Sequence, residues 1–227
     1  MEVRREKWEE SYARVENNIL YPKEECVKFL NRFVRRKLSK NEYVEVLLHE
    51  DGRVLKALEY GCGVGATTAL LHDFGVAAVG VDVSSTAIEK AKQNHGEISD
   101  CFSVVDGTKI PFQDKHFDFS ISDCVLDSMS FELAGRILLE LDRVTKNLLF
   151  VSLISGDDSS HFREYCGEEI VETEHEKGTI QTYYNWSKIL EIIRPTGFRI
   201  VWAELHLMES CLASHKTGRY YLVLDNS

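Results

Sequence analysis

The chain has 227 residues, 44% of them hydrophobic, and a formal net charge of −10. This length allows one sizeable core and leaves little room for a second domain of ordinary size. The negative charge repels phosphate backbones, so a nucleic-acid partner is disfavoured.

The N-terminal stretch is charged, because Met1 is followed directly by EVRREKWEE. We therefore expect no apolar signal segment, and no later stretch approaches the ~18 apolar residues of a membrane span. A cytoplasmic protein without a membrane partner is the expectation. Trp8 and Tyr12 stand four residues apart, on one face of a predicted short helix.

Apolar residues recur at helical spacing from Cys26 to Leu38, and Pro22 suits the start of a helix there. The basic stretch Arg32–Lys40 lies largely on this predicted helix, where a solvated basic face is the simplest interpretation. Residues 1–45 are thus predicted to be a helical N-terminal extension. A polar break near Asp51 and Gly52 precedes the main domain, predicted over residues 46–227.

The main domain alternates short β-rich runs with helical patterns, as βαβ units on a parallel sheet do. The predicted strands are Val54–Tyr60, Ala77–Asp82, Cys101–Val105, Phe117–Asp123 and Leu148–Leu153. The predicted helices between them are Ala66–Phe74, Ser84–Asn94 and Phe131–Val144.

The last third of the chain departs from this alternation. Glu168–Thr173 and Thr179–Asn185 flank the turn HEKG and predict a β-hairpin insertion after the fifth strand. A helix over Trp186–Ile193 follows, and then two strands, Phe198–Leu205 and Arg219–Leu224, which pair most simply as antiparallel neighbours. The predicted fold is a Rossmann-like α/β domain with a mostly parallel sheet and an antiparallel last strand.

Three glycines, Gly61, Gly63 and Gly65, lie in the turn after the first predicted strand. Glycine permits positive φ and lets a ligand approach the backbone, while the next helix offers unpaired N–H groups. The second strand ends at Asp82, where a carboxylate can accept both hydroxyls of a ribose. Glycine turn and acid together predict a cofactor that contains adenosine.

The run LEYGCGVG resembles the first motif of class I S-adenosylmethionine-dependent methyltransferases, in which an acid and a spacer precede Gly-x-Gly-x-Gly. The resemblance continues through Asp82, through Asp106 and Gly107, and through FDFSISDCVLDSM, so it covers most of residues 54 to 153. It implies S-adenosylmethionine as the cofactor and methyl transfer to a small-molecule acceptor. Oligomeric state and acceptor stay open.

The resemblance also implies roles for individual residues. Gly61, Gly63 and Gly65 would lie against the methionine moiety, and Glu59 is the acid of the motif. Asp82 would hold the ribose, and Val83 would pack on the adenine. Asp106 and Gly107 would lie near the adenine amino group, and Asp123 and Cys124 near the methionine amine. Relatives fold an N-terminal segment over the cofactor, so Trp8 and Tyr12 would face it from a lid.

The acceptor side is less defined, because Leu126-Asp127-Ser128 stands where relatives often have Leu-Glu-His. Asp127 is the candidate for orienting or deprotonating the acceptor, if capping by Ser128 or Ser130 leaves it free. Tyr183 and Tyr184 are candidates for the acceptor pocket. The scattered cysteines and histidines lack ligand spacing, so no metal is predicted.

Three alternatives remain at this point. Gly61, Gly63 and Ala66 also fit the dinucleotide fingerprint of nicotinamide oxidoreductases, and Tyr184 and Lys188 have the spacing of a short-chain dehydrogenase pair. However, Glu59 would place a negative charge near a pyrophosphate. A methyltransferase-like protein that binds without catalysis is the second alternative. Aminopropyl transfer with Asp123 as the base is the third.

Overall fold

The computed structural model describes residues 5–14, 18–40, 42–47, 53–158, 161, 164–212 and 216–226. The helices are α1 Arg5–Tyr12, α2 Glu24–Phe29, α3 Ala66–Asp73, α4 Ser85–Asn94, α5 Phe131–Val144 and α6 Trp186–Ile193. The strands are β1 Arg35–Lys37, β2 Tyr43–Glu45, β3 Lys56–Tyr60, β4 Ala77–Asp82, β5 Phe102–Val104, β6 Phe117–Asp123, β7 Thr145–Ile154, β8 Gly167–Ile170, β9 Ile180–Tyr183, β10 Arg199–Glu209 and β11 Lys216–Asp225.

The centre of the domain is a seven-stranded sheet in the order β10-β11-β7-β6-β3-β4-β5. The five strands from β7 to β5 are parallel, whereas β11 runs antiparallel to β7 and β10 antiparallel to β11. This arrangement confirms the predicted fold class. The chain moves outward from β3 through β4 to β5 and then returns to the other side of β3 as β6, so ligands are expected at the carboxyl ends of β3 and β6.

Helices cover both faces of the sheet, as the apolar character of its central strands requires. Helix α5 buries an apolar stripe that includes Leu133, Ile137 and Leu141 against one face. On the other face Phe29 of α2 packs against Phe119 and Phe150, with ring centroids 5.9 and 5.1 Å apart. The N-terminal segment is therefore part of the main core.

The predicted hairpin insertion is also present, because β8 pairs with β9 as an antiparallel ladder after β7. A short 3₁₀ turn, Glu174–Glu176, forms the tip between the two strands. Within the described part of the chain, none of the helices has the length and apolar character needed to cross a bilayer.

The predicted helix from Cys26 to Leu38 is wrong in its second half. After α2 the chain makes one π-helical turn, Leu30–Val34, and then becomes the strand β1, which pairs with β2. Buried Arg35 fixes this strand, because its guanidinium lies 2.6 Å from Glu45. The basic stretch is thus divided between two kinds of structure and forms no continuous helical face. The polar break at Asp51 and Gly52 lies outside the described residues.

Candidate active site

A cavity of about 370 Å³ lies at the carboxyl ends of β3, β4 and β6, where the topology predicts a ligand. The glycine turn forms its floor, and residues from α1, from the segment before α2 and from β11 complete its walls. Segments that are distant along the chain therefore meet around one space.

The glycine turn adopts a conformation that other residues would strain. Gly61 and Gly63 have φ of +79° and +52°, and a Cβ at Gly63 would lie 2.8 Å from the hydroxyl oxygen of Tyr12. The N–H groups of Gly61 and Cys62 both donate to the carbonyl oxygen of Val81. The turn is thus fixed against β4 and leaves room for close approach of another group.

Glu59 lies beneath this turn and is 5% exposed. Its carboxylate accepts a hydrogen bond from the hydroxyl of Thr68 in α3. Burial raises the pKa of Glu59 to about 8, although hydrogen bonds from Thr67 and Thr68 oppose the change. The acid of the predicted motif is therefore a buried group that keeps its proton near neutral pH and lines the cavity.

Asp82 ends β4 and holds the turn in place with its carboxylate. Its Oδ2 accepts from the Gly63 N–H at 2.9 Å, and its Oδ1 accepts from the Ser84 N–H at 2.9 Å. Burial raises the pKa of Asp82, while these N–H groups oppose the increase. Ser84 caps α4, and half-buried Val83 lines the cavity beside Asp82.

Asp106 and Gly107 follow β5 as predicted, but the structure does not bring them into the cavity, whose described lining includes only their neighbour Val105. The exposed Asp106 carboxylate accepts from the backbone N–H groups of Thr108 and Lys109 at 2.8 and 3.1 Å. Those bonds lower the pKa of Asp106. The local turn thus engages one oxygen of this carboxylate, and the cavity lining gives no support to the implied contact with adenine.

Asp123 and Cys124, at the end of β6, do line the cavity. Lys23, from the segment before α2, places its Nζ 3.4 Å from Asp123 and in contact with the Cys124 sulfur. Burial works to lower the pKa of Lys23, but Cys124 and Asp123 outweigh it and raise the pKa. No sequence pattern pointed to Lys23, because its partners lie about 100 residues away.

Asp127 lines the cavity but is not the free carboxylate that was predicted. It is 1% exposed, and its Oδ2 accepts from Arg219 Nη1 at 2.7 Å and from the Ile154 N–H at 2.8 Å. Ser130 does cap α5, as expected. Because Ser130 and not Asp127 caps α5, the Asp127 carboxylate is available to Arg219. Asp127 is therefore an ion-paired residue of the cavity wall.

Trp8 and Tyr12 of α1 both line the cavity, on the inner side that the resemblance implies. Their ring centroids lie 6.1 Å apart, and the Tyr12 hydroxyl approaches Gly63. Burial raises the pKa of Tyr12, and the nearby Asp82 adds to the effect. The helix therefore forms a cover over the glycine turn.

Two polar contacts that sequence patterns did not indicate attach α1 to α4. The Glu9 carboxylate accepts from the N–H groups of Ser85 and Thr86 at 2.7 and 3.0 Å, at the helix N-terminus where negative charge is favoured. Lys90 of α4 donates to the Tyr12 carbonyl and to Asn18 Oδ1. The cover is thus attached at its middle and at its C-terminal end.

The prediction that Tyr183 and Tyr184 line an acceptor pocket is wrong. Tyr184 is 0% exposed and donates its hydroxyl to the Leu126 carbonyl at 3.0 Å, because it fills the core beneath the hairpin. Tyr183 packs with Tyr165 and His161 on the outer side. Among the described residues of the hairpin, Gln181 and Glu176 line the cavity instead.

The short-chain dehydrogenase pair is not assembled either. Lys188 lies 2.9 Å from Glu191 and stacks over the Phe131 ring, while Tyr184 is enclosed by the core. Neither side chain lines the described part of the cavity. Across the residues that the structure describes, no cluster of three or more His, Cys, Asp or Glu has a metal-binding arrangement.

Comparisons with known proteins agree with this geometry. Residues 58–148 match the family model described as a methyltransferase domain. Sterol 4-C-methyltransferase of Caenorhabditis elegans is 25% identical over 171 residues, which cover 67% of this chain and 47% of that protein. The chain spans less than half the length of the curated relatives it matches, at 38% and 47%.

Solved structures share the fold. A protein of Methanosarcina mazei described as a SAM-dependent methyltransferase superposes with a TM-score of 0.64 at 20% identity, over 79% of this chain and 94% of that one. Magnesium protoporphyrin IX methyltransferase of Synechocystis, solved with bound SAM, superposes with a TM-score of 0.54 at 18% identity, over 77% of this chain and 71% of that one. The family match over residues 58–148 and the shared fold agree with the predicted resemblance to the class I methyltransferases.

Proposed function

We propose that the protein transfers the methyl group of S-adenosylmethionine to a small-molecule acceptor. The methyltransferase domain implies S-adenosylmethionine as the cofactor. The observation that carries the proposal is the meeting of three features in one cavity: the glycine turn with its positive φ angles, the acid Glu59 beneath it and Asp82 at the end of the next strand. This combination suits a ligand with a ribose and a cationic end.

The residues of the cavity fit each part of that cofactor. Asp82 would accept the ribose hydroxyls and Val83 would pack on adenine, as the resemblance implies. A turn without side chains at Gly61 and Gly63 leaves space for the methionine moiety. Asp123 suits the methionine amine, and Lys23 beside it is a cation for the methionine carboxylate. Asp106 is outside the described lining of the cavity and has no part in this assignment.

The cover over the cavity supports a small acceptor. Helix α1 covers it, and Arg14 at the end of α1 donates to the Glu174 carbonyl at the hairpin tip, so two segments meet above the space. A macromolecule would have to displace both segments. A nucleic acid would in addition meet the net charge of −10.

The bound cofactor supplies a sulfonium methyl, an electrophile with a neutral leaving group, so the protein mainly has to position the acceptor. We propose that Asp127 contributes to that positioning. Its Oδ2 is engaged by Arg219 and Ile154, but its Oδ1 has no hydrogen-bond partner among the described residues. Catalysis is expected to be independent of metal, so turnover should persist in the presence of a chelator.

Calorimetry with S-adenosylhomocysteine tests the proposal. We expect saturable binding of S-adenosylhomocysteine and S-adenosylmethionine and none of nicotinamide dinucleotides at the same concentration. Binding of the dinucleotides alone would favour the oxidoreductase alternative. If S-adenosylhomocysteine binds but no extract yields a methylated product, the protein is a methyltransferase-like binding protein. Decarboxylated S-adenosylmethionine serves as the probe for aminopropyl transfer.

A further inference from the structure

The wall of the cavity opposite Asp82 is formed by the last strand of the sheet. Arg219 of β11 lies opposite Ile154 at the carboxyl end of β7. Strand β7 lies beyond β6, whereas the glycine turn and Asp82 follow β3 and β4 on the other side. The Arg219 side chain therefore reaches the cavity from the side away from the proposed ribose site.

The guanidinium of Arg219 is only partly satisfied by the protein. Its Nη1 donates to Asp127 Oδ2 at 2.7 Å and lies 3.5 Å from Ser152 Oγ. Its Nη2 and Nε have no hydrogen-bond partner in the described ranges of the chain. Because an arginine carries five N–H donors, several of them stay available to a ligand. The side chain is 23% exposed and lines the cavity.

The pairing with Asp127 differs from that of an arginine with a purely structural role. A structural pair such as Arg53 with Asp118 uses two nitrogens on two oxygens, at 2.8 and 2.6 Å. Arg219 instead engages Asp127 through one nitrogen. Asp127 thereby offsets the charge of a largely enclosed group and fixes its orientation. The other edge of the guanidinium has the donor geometry that binds a carboxylate with two parallel hydrogen bonds.

We propose that the methyl acceptor is an organic acid, whose carboxylate is bound by Arg219 through Nη2 and Nε. This proposal rests on the proposed function, because it concerns the second substrate of the same cavity. A carboxylate is also present in the methionine part of the cofactor. Lys23 lies against Asp123 and Cys124 at the end of β6, the strand next to β3 and its glycine turn, and is the better partner for that group.

The charge of the whole protein makes a dedicated contact necessary. With a net charge of −10, the long-range field does not attract an acidic acceptor. Recognition must then come from a short-range, oriented donor group. Lys23 and Arg219 are the cationic side chains among the described residues of the cavity lining, and Lys23 is the one we assign to the methionine carboxylate.

The test first separates the two possible sources of the carboxylate. Binding of S-adenosylhomocysteine, which contains the methionine carboxylate, is measured for the wild type, Arg219→Met and the control Arg199→Met. Arg199 is a surface arginine on β10, paired with Asp225 at 2.7 Å. We expect all three affinities to agree within about twofold. Thermal unfolding of each variant checks that it is folded.

The second arm uses methyl-labelled S-adenosylmethionine and a small-molecule extract separated by anion exchange into acidic and non-acidic fractions. We expect labelled product from the acidic fraction. Labelling should fall at least about tenfold in Arg219→Met, be partly retained in Arg219→Lys, and stay unchanged in Arg199→Met, because two charge-assisted hydrogen bonds are lost only at position 219.

Several results would overturn the proposal. One is a tenfold loss of S-adenosylhomocysteine affinity in Arg219→Met with unchanged affinity for methylthioadenosine, because Arg219 would then bind the cofactor. Others are label that arises only from the non-acidic fraction, no label from the acidic fraction, or acidic labelling that Arg219→Met leaves intact. If S-adenosylhomocysteine fails to bind the wild type, the proposed function itself fails, so the two failures are distinguishable.

Discussion

The carboxylate of Glu9 accepts a hydrogen bond of 2.7 Å from the backbone N–H of Ser85, in the first turn of α4. Its other oxygen accepts from the Thr86 N–H at 3.0 Å and from the Ser84 hydroxyl at 2.8 Å. One side chain of the cover thus satisfies the start of a helix in the main domain, in the manner of a cap supplied from elsewhere in the chain.

Glu9→Gln should therefore loosen the cover over the cavity. The loss of a charged acceptor at a helix N-terminus costs about 1 kcal/mol, so affinity for S-adenosylhomocysteine should fall by roughly fivefold. Glu6→Gln, on the exposed side of the same helix, is the matched control. In the wild type, hydrogen exchange near Trp8 and Tyr12 should slow on cofactor binding. Equal protection with and without the cofactor would mean that α1 packs on the domain and does not respond to binding.

The contact of Glu9 with α4 predicts that the protection of α1 against hydrogen exchange depends on pH. Burial works to raise the pKa of Glu9, but hydrogen bonds from Thr86, Ser85 and Ser84 outweigh it and lower the pKa from 4.5 to about 2. A lowered pKa gives stability that is present above 4.5 and is lost as the pH falls towards 2. Protection of α1 against exchange should weaken over that window in the wild type and not in Glu9→Gln.

Asp82→Ala should weaken binding of S-adenosylhomocysteine by more than about tenfold, since two charge-assisted hydrogen bonds to ribose are worth roughly 2 to 4 kcal/mol. Part of the loss will come from the turn, because Asp82 also accepts from Gly63. Asp100→Ala, at an exposed position, is the control. An unchanged affinity in Asp82→Ala, measured by calorimetry, would remove Asp82 from the binding site.

Binding of the cationic cofactor should release a proton from Glu59. With a pKa of about 8, the free protein holds this proton at pH 7, and a sulfonium or ammonium nearby favours the ionised form. Calorimetry in buffers of different ionisation enthalpy should report a release of up to about one proton per ligand. Glu59→Gln should abolish that release. The same release in the variant would assign the proton to another group.

Glu59 also predicts how stability changes with pH. The pKa of Glu59 in the folded protein is raised to about 8 from 4.5. Its contribution to the stability of the fold is therefore complete below pH 4.5 and declines as the pH rises to 8. Glu59→Gln, which resembles the protonated acid, should gain stability relative to the wild type between pH 5 and pH 8. Thermal midpoints at the two values measure this, and a constant difference would contradict it.

Tyr184→Phe should lower stability and leave cofactor affinity unchanged. The buried hydroxyl donates to Leu126, and removing it leaves a buried carbonyl without that partner, at a cost of about 1 to 3 kcal/mol. Tyr183→Phe is the control, because its hydroxyl has no hydrogen-bond partner within the described residues. Denaturant unfolding separates the two variants. A loss of turnover in Tyr184→Phe without a loss of stability would restore the acceptor-pocket interpretation.

Asp127→Asn should lower kcat and keep S-adenosylhomocysteine affinity within about twofold, because Asp127 orients Arg219 and not the cofactor. Arg219 also loses its counterion, so the variant should be less stable than the wild type. The double variant of Asp127→Asn and Arg219→Met should lose less free energy of unfolding than the two single variants together. Full additivity of the two changes in denaturant unfolding would show that the pair is not coupled.

Sequence patterns located the regular elements well where periodicity and local turn chemistry decide the structure. Ala77–Asp82, Phe117–Asp123 and Trp186–Ile193 were predicted with the bounds that the structure has. Arg35–Lys37 was mistaken for helix because its spacing continues a helical pattern, while its pairing with Tyr43–Glu45 is a tertiary effect.

In the cavity, the glycine turn and Asp82 were predictable because their roles are set by the backbone around them. The orientations of the Tyr184 and Asp127 side chains were not predictable. Asp127 meets Arg219, 92 residues later in the chain, and Tyr184 meets Leu126, 58 residues earlier. A local pattern carries no information about partners at that distance, so side-chain roles there need the folded structure.

The position of Arg219 on the final strand affects how such a protein can diverge. The region matched by the methyltransferase family model, residues 58–148, contains Glu59, Asp82 and Asp127, whereas Lys23 and Arg219 lie outside it. Because we propose Arg219 as the contact to the acceptor, mutations on the last strand can exchange one acceptor for another without disturbing the turn that would hold the cofactor. Among descendants of a common ancestor, the last strand would then differ most between enzymes that act on different acceptors.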